Sequence, residues 1–345
     1  MNYLLRFFDE HQPRRVRVIE NTLKNRRTVS TLFWASQYGL LNWTGSMRSL
    51  ERQQFDQMVK ELLQDKLIQL DEDGQARLTS SGVLKQEELK DEEYQPKFFD
   101  WYWLANTKLV EERLLLGIQV ASELAYHNRF YAPVTNDYQN QKIVKAWALG
   151  WNGDLVKQLT RELDLFGNSV AGEDERLANY FFYSLIGHHL NGMTDQGFSS
   201  ALSLPLSEIP ILKHDALLAI TAFANSYHGA LNRLLADLIS PSPLAYSSYE
   251  TLLLYERGES IPQIAKRRRI KENTVREHLL EVAIVWPEKV NWDNLLPRKV
   301  REQLAEAYQG EIENWHFDSA KVPGGASAFF YFRLFQIYQE KNNVK

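Results

Sequence analysis

The sequence predicts a mainly α-helical protein that carries one small β-hairpin, and three observations support this fold class. Residues 248–285 show three consecutive helical segments, each with its own start or stop signal. Residues 98–202 have the composition of packed helices, with closely spaced aromatic and aliphatic side chains. A clear hairpin signal occurs at residues 67–78, where two short apolar runs flank an Asp-Gly turn. Helices should therefore dominate the fold.

Two breaks in the composition divide the chain into three predicted domains. The first is the charged stretch 87–95, which Pro96 closes, and the second is the Ser-Pro-Ser-Pro run at 240–243. The predicted domains are residues 1–95, 96–240 and 241–345. With 345 residues, of which 44% are apolar, the chain is long enough for each domain to bury a core of its own.

The first domain is predicted to contain a winged helix at residues 28–83. A helix over 29–38 precedes a second helix that starts near Ser49, and the hairpin follows with Asp71, Glu72, Asp73 and Gly74 at its turn. Two functions remain open for it. The basic residues between positions 14 and 27 favour a nucleic-acid contact. The three carboxylates at the wing tip would repel phosphate, and they favour protein binding instead.

The middle domain is predicted to be helical and without a metal site. Its many aromatic side chains could stack on bases, but most such residues serve as core. These aromatic residues are Trp147, Trp151, Phe166, Tyr180, Phe181, Phe182 and Tyr183. Four histidines, at positions 188, 189, 214 and 228, match no metal-binding spacing. We interpret them as core or surface residues.

Residues 248–285 are predicted to form a helix-turn-helix. The first helix covers 250–257 and ends at Gly258, a common helix terminator. Ser260 and Gln263 form a capping box at the start of the second helix. The third helix should bury Val275, Leu279 and Val282, which recur at helical spacing. In this motif the last helix usually enters the DNA major groove by its N-terminal residues.

A cluster of positive charge precedes the third helix and predicts phosphate contact. We predict that Asn273 and Thr274 lie nearest the bases and that Arg268 is structural, paired with Glu250 or Glu281. Glu277 and Glu281 weigh against a deep fit in the groove. The alternative is a solvated helical face that packs on neighbouring elements. The predicted phosphate contacts are Lys266, Arg267, Arg269, Lys271 and Arg276.

The run at 264–279 resembles the helix-turn-helix module at the C-terminal end of many RecQ-type helicases. By length and layout, the chain is also similar to the stand-alone YpbB-like proteins of Firmicutes. The LuxR-type pattern fits less well, since it normally has Ser at the place of Lys271 and Leu at the place of Arg268. The residues that match the helicase-associated pattern are Ile264, Ala265, Arg268, Lys271, Thr274, Val275, His278 and Leu279. The resemblance implies DNA binding beside a RecQ-type helicase, in DNA repair or recombination.

No motif for catalysis or for a cofactor is present in the sequence. There is no phosphate-binding GxxxxGK[ST] loop, no G-x-S-x-G elbow and no cysteine, so we expect neither enzymatic activity nor a cofactor. The longest apolar stretch, 216–224, is about half the length of a membrane span. Together with the lack of cysteine and of a signal peptide, this predicts no membrane contact and a cytoplasmic protein.

The sequence therefore leads to one main hypothesis and two alternatives. The main hypothesis is a DNA-binding accessory protein that assists a RecQ-type helicase. A protein-binding scaffold with little DNA affinity is the first alternative, favoured by the net charge of −4, the acidic wing tip and Glu277. A transcription regulator is the second, and it would require a specific operator. The sequence predicts no oligomeric state.

Overall fold

The computed structural model describes residues 3–91 and 93–343, and α-helices dominate them. The predicted mainly α fold class is therefore confirmed. In the N-terminal part the helices are Val16–Leu23 (α1), Val29–Gln37 (α2), Arg52–Gln64 (α3) and Ser80–Leu89 (α4). The middle helices are Thr107–Ala125 (α5), Tyr138–Leu149 (α6), Leu155–Ala171 (α7), Glu175–Tyr183 (α8), Asp195–Leu202 (α9), Ile209–Ser226 (α10) and Ala230–Leu235 (α11). The last helices are Tyr246–Glu256 (α12), Ile261–Arg268 (α13), Glu272–Val285 (α14), Trp292–Leu295 (α15), Arg298–Ala307 (α16) and Ala328–Asn343 (α17).

The chain divides into two units, and the division is discontinuous in sequence. The first unit contains the residues up to Asn25 together with 42–241. The second contains 26–41 together with the residues from Ser242 onward. The boundary predicted at residue 240 lies beside this division, whereas the boundary predicted at 95 has no counterpart in it. Helix α2 belongs to the second unit, although the sequence suggested that it opens an N-terminal winged helix.

A small antiparallel sheet lies in the first unit, and it confirms the predicted hairpin. Its strands are Arg14–Arg15 (β1), Ile68–Leu70 (β2) and Gln75–Leu78 (β3), in the order β1-β3-β2. At the turn, a side-chain oxygen of Asp71 accepts hydrogen bonds from the backbone N–H groups of Asp73 and Gln75. Gly74 has φ +71°, a conformation that favours glycine. Strand β1 was not predicted, because two consecutive arginines give no alternating apolar pattern.

The stretch predicted as a linker, 87–95, is partly structured. Helix α4 extends into it as far as Leu89, and residue 92 lies outside the described residues. Tyr94 is fully buried, and its hydroxyl donates a 2.5 Å hydrogen bond to Asp215 of α10. The backbone N–H groups of Lys97 and Phe98 donate to the same carboxylate. The buried Asp215 carboxylate needs hydrogen-bond donors to offset its burial, and this stretch provides them. These buried contacts join the predicted first and middle domains.

Helix α10 lies at the centre of the first unit, where Ile211, Leu212 and Leu218 have no exposed surface. Helices α5, α7, α8 and α11 all pack against it. The interpretation of the middle aromatic residues as core is largely confirmed, with Tyr183 as an exposed exception. Those that are buried are Trp147, Phe166, Tyr180 and Phe181.

Helix α2 packs within the second unit because four consecutive side chains of it need cover. Leu32, Phe33, Trp34 and Ala35 are all buried, so they surround more of the helix than one face. Helix α14 packs against α2, and Arg333 of α17 places its guanidinium 3.8 Å from the ring centre of Phe33. An apolar surface this broad requires neighbours on more than one side of α2, and α14 and α17 provide them.

Candidate nucleic-acid interface

Helices α12, α13 and α14 form the predicted helix-turn-helix. The capping box predicted for α13 is present, with Ser260 and Gln263 bonded to each other's backbone N–H groups. Helix α14 buries Val275, Leu279 and Val282, each with at most 1% exposure. Both predictions are confirmed. The buried side chains of α14 pack against α12, α13, α2 and α17. Asn273 and Glu277, near the start of the helix, are exposed to solvent.

The turn between α13 and α14 depends on Arg269, which adopts the left-handed conformation with φ 55° and ψ 43°. For a residue other than glycine this conformation costs roughly 1 kcal/mol. The backbone N–H of the next residue, Ile270, donates to the carbonyl of Ala265 at 3.0 Å and closes α13. The chain can then start α14 at Glu272, while the Arg269 side chain stays exposed.

Arg268 has the structural role that the sequence predicted. Its guanidinium donates to the Glu250 carboxylate at 2.9 Å and to the Ser247 carbonyl at 2.5 Å, and it also donates to the Thr251 hydroxyl. Only 12% of the side chain is exposed. Every one of these partners lies on α12, so Arg268 joins α13 to α12 and is not available to a phosphate.

Two further polar residues of α14 face inward. His278 places Nδ1 2.8 Å from the Thr251 hydroxyl, and desolvation together with the nearby Arg268 charge lowers the pKa of this histidine. Glu281 is 6% exposed and accepts hydrogen bonds from Arg27, from the Ala245 backbone N–H and from the Ser248 hydroxyl. Glu281 therefore does not limit the fit in a DNA groove, contrary to what the sequence suggested, because its carboxylate is buried and paired with an arginine.

The predicted phosphate contacts fall into two groups. Lys266, Arg267, Arg269 and Lys271 are exposed and lie in the continuous segment of residues 266–271. Arg267 forms a 3.0 Å ion pair with Glu259, yet 62% of its side chain remains exposed. Ion pairs of this exposed kind are weak and are easily exchanged for a phosphate. We call these four side chains the basic turn.

Arg276, by contrast, is bound along its own helix. Its guanidinium donates to Glu272 at 2.8 Å and to Asn273 at 2.9 Å, and 16% of the side chain is exposed. Asn273 is exposed, and Thr274 is half-buried. Of the two residues predicted to lie nearest the bases, Asn273 is the more exposed. Its side-chain oxygen already accepts a hydrogen bond from Arg276.

Several members of the N-terminal basic cluster have partners within the protein. Arg17 pairs with Glu20 at 2.8 Å and with Asp56 at 2.6 Å, and Lys24 lies 3.7 Å from Glu20. Arg14 donates to the carbonyl of Phe7. The side chain of Arg17 nevertheless remains 47% exposed, so these contacts leave both predicted functions of that region open.

Comparisons with known proteins agree with this geometry. A family model described as a helix-turn-helix domain matches residues 247–321. The chain is similar to "Protein YpbB" of Bacillus subtilis (strain 168), with 26% identity over 180 residues, which are 51% of this chain and 50% of that protein. The chain thus spans about half the length of the curated relative it matches. No solved structure matches. The likeness to YpbB-like helix-turn-helix proteins is confirmed.

The helix-turn-helix domain extends beyond the region that the family model matches. Helix α2 lies about 200 residues before that region, and α17 follows it. Both helices border a cleft of about 710 Å³ beside the exposed face of α14. Sequence reasoning missed the contribution of α2, because its apolar run showed that it needs cover and could not show which part of the chain provides it.

Among the described residues, no group of histidine and carboxylate side chains is arranged to hold a metal ion. No helix among them combines the length and the apolar character that crossing a membrane requires.

Proposed function

We propose that this protein is a DNA-binding accessory protein whose helix-turn-helix domain contacts duplex DNA through the basic turn. The observation that carries the proposal is the exposure of four cations in residues 266–271, next to the N-terminus of α14. The remaining cation of this segment, Arg268, is largely buried and has its own partners. Such a cluster suits phosphate contact, since each neutralised phosphate releases condensed counterions.

Within this proposal the basic turn positions the domain, and Asn273 and Thr274 lie nearest the bases. Arg276 contributes less than the sequence suggested, because a phosphate would have to displace both Glu272 and Asn273 from its guanidinium. The exposed Glu277 limits how deeply α14 can enter the groove. Recognition should therefore depend mainly on the phosphate backbone, with modest sequence specificity.

The salt dependence of duplex binding tests this proposal. Lys266→Ala/Lys271→Ala removes two exposed cations, and it should lower the slope of log K against log salt by about two. Lys299→Ala is the matched control, since Lys299 is an exposed lysine on α16 of the same unit. Arg276→Ala should change the slope less than Lys271→Ala alone. An unchanged slope in the double variant would exclude the basic turn as the contact surface.

The proposed partner is a RecQ-type helicase, and the proposed role is non-enzymatic assistance in DNA repair or recombination. This part is supported by the resemblance of residues 264–279 to a module of such helicases. Co-purification of the full chain with a RecQ-type helicase from the same cells, at a fixed ratio and in the presence of nuclease, is the expected result. Separate elution would remove the helicase from the proposal and leave DNA binding intact.

A protein-binding scaffold is the second candidate, and the exposed wing tip favours it. Asp71, Glu72 and Asp73 all lie at the surface of the hairpin turn. If this candidate is correct, Glu72→Lys/Asp73→Lys should weaken partner co-purification, while the basic-turn variants leave it unchanged. The main proposal is supported if the basic-turn variants weaken duplex DNA binding while Glu72→Lys/Asp73→Lys leaves it unchanged.

A further inference from the structure

A second surface, in the first unit, exposes aromatic rings. Residues 126–137 connect α5 to α6, and three rings in or beside this connection face solvent. Phe130 is 94% exposed, Tyr138 is 72% exposed and Tyr126 is 66% exposed. Apolar side chains of this size are usually at least half buried in a folded protein. Three such exposed rings occur within thirteen positions of the chain, and exposed apolar side chains that are grouped in this way commonly mark an interaction site.

The backbone beneath these rings is held in place by buried polar groups. Gln119 of α5, which is 6% exposed, donates to the carbonyl of Ala132 at 3.0 Å and accepts from the N–H of Val134 at 2.8 Å. Asn128 donates to the buried Glu123 carboxylate at 2.7 Å and accepts from the N–H of Phe130. The rings are therefore displayed by an ordered connection, so little entropy is lost when a ligand stacks on them.

Tyr126 has an additional support. Its ring stacks on His188 with centroids 4.5 Å apart and planes 23° from parallel. His188 in turn places Nδ1 2.8 Å from Glu123. Despite desolvation, hydrogen bonds from Asn128 and His188 keep the pKa of Glu123 below its ordinary value, so the carboxylate stays charged. One face of the tyrosine is covered, and the ring forms a flat platform whose exposed area is available to a base.

Positive charge is interleaved with the rings. Arg129, Lys142 and Lys145 are exposed, and among the described residues no carboxylate lies within ion-pair distance of them. The acidic residue in 126–145 is Asp137, whose side chain caps α6 by accepting from the N–H of Asn140. The segment thus carries a net charge of +2, with three basic side chains against one acidic, in a protein whose total is −4.

We propose that residues 126–145, which we call the 126–145 surface, bind single-stranded DNA. Bases stack on Tyr126, Phe130 and Tyr138, while Arg129, Lys142 and Lys145 neutralise phosphates. The combination of separated rings and unpaired cations fits this ligand, since each nucleotide offers one flat apolar face and one negative charge. A duplex keeps its base faces stacked and cannot use the rings. A protein partner would need a continuous apolar face with complementary carboxylates.

Titration of labelled oligothymidine of about 15 nucleotides, a length within the usual site sizes, tests this proposal. Phe130→Ala/Tyr138→Ala should weaken binding roughly tenfold or more, because each stacked base adds considerable affinity. Tyr246→Ala is the control, since Tyr246 is a comparably exposed tyrosine of the second unit. Phe130→Trp should keep wild-type affinity, because a larger ring still stacks. Both substituted rings are exposed, so thermal unfolding should be unchanged.

The cations are tested separately with Arg129→Glu/Lys142→Glu, against Lys60→Glu on α3 as the control. The double variant should bind oligothymidine more weakly and with a smaller salt slope, while its duplex binding stays near wild type. Conversely, Lys266→Ala/Lys271→Ala should bind oligothymidine like the wild type even if its affinity for duplex DNA falls. Duplex binding by the basic turn and single-strand binding by the 126–145 surface can therefore fail independently. Wild-type affinity in both 126–145 variants would reject the proposal and favour a protein partner. Tenfold tighter binding of oligouridine would reassign the surface to RNA.

Discussion

Glu281 of α14 accepts a 2.5 Å hydrogen bond from Arg27, a residue 254 positions earlier in the chain. The same carboxylate accepts from the Ala245 N–H and the Ser248 hydroxyl at the start of α12. One buried charge therefore joins the segment that opens α2, the first helix of the helix-turn-helix and its last helix. The orientation of α14, and with it that of the basic turn, depends on a part of the chain far outside the motif.

Removing this carboxylate should destabilise the second unit strongly. Glu281→Ala leaves the Ala245 N–H and the Arg27 guanidinium without their shared acceptor, and a broken buried pair costs roughly 3 kcal/mol or more. Urea unfolding followed by tryptophan fluorescence measures the change. Glu277→Ala is the control, because Glu277 is exposed one turn earlier on the same helix and should change stability by less than about 0.5 kcal/mol. Equal effects of the two substitutions would show that Glu281 does not join these segments.

Replacing Arg268 by lysine should also destabilise the domain, although the charge is kept. A single ammonium group cannot reach Ser247, Glu250 and Thr251 together, as the planar guanidinium does. We expect a loss of about 1.5–3 kcal/mol, the usual contribution of one hydrogen bond to a charged group. Arg267→Lys, at the exposed neighbouring position, should be close to neutral in the same urea titration. A neutral Arg268→Lys would contradict the structural role.

Arg269→Gly should separate stability from DNA binding. Glycine adopts the left-handed conformation of this turn without strain, so the free energy of unfolding should rise by up to about 1 kcal/mol. The lost cation should at the same time lower the salt slope of duplex binding by about one. Arg269→Val is the opposing control, since a β-branched residue is strained at positive φ and should destabilise the turn. A glycine variant that is less stable than wild type would show that the arginine side chain stabilises the turn.

The first unit should lose stability as the pH falls from about 6.5 towards 4. His214 is almost fully buried among Thr107, Phe99 and Tyr102, and desolvation together with the Arg48 charge lowers its pKa to about 4. Between these values the unfolded chain binds a proton that the folded protein excludes, so lowering the pH favours unfolding. The loss attributable to His214 should reach roughly 3 kcal/mol at pH 4.

His214→Gln removes the titrating group, so this component of the pH dependence should disappear from denaturant unfolding curves. His11→Gln is the control, because the side chain of His11 is 90% exposed and should leave the pH profile as it is. An identical profile in the His214 variant and the wild type would mean that His214 does not cause the acid sensitivity.

Several features could be predicted from the sequence because they depend on neighbouring residues. The Ser260–Gln263 capping box involves residues three positions apart, and the hairpin at Asp71–Gly74 follows from a short turn. The buried face of α14 follows from helical spacing. The structural role of Arg268 was also predicted, with Glu250 or Glu281 as its partner, and the structure shows Glu250. Local propensity and a familiar motif were sufficient for these.

Other features depended on burial, which the local pattern does not report. For the middle aromatic residues the sequence favoured a core position over stacking on bases, and Phe166 and Phe181 are core, but it could not show which rings would be exposed. The rings that do face solvent, Phe130 and Tyr138, lie in and beside the connection between α5 and α6. The residue type alone does not show whether a phenylalanine is buried or exposed. Its exposure is decided by the side chains that pack around it in the folded protein.

The sequence by itself determined the helical class, the caps, the hairpin and the position of the basic turn, because each follows from residues within a few turns of one another. Only the tertiary structure decided that α2 joins the helix-turn-helix and that Glu281 is an internal partner of Arg27. Contacts across more than two hundred residues depend on which apolar surfaces cover each other when the whole chain folds. Which surfaces pair depends on the apolar area that the whole chain buries on folding, so it cannot be read from any single segment.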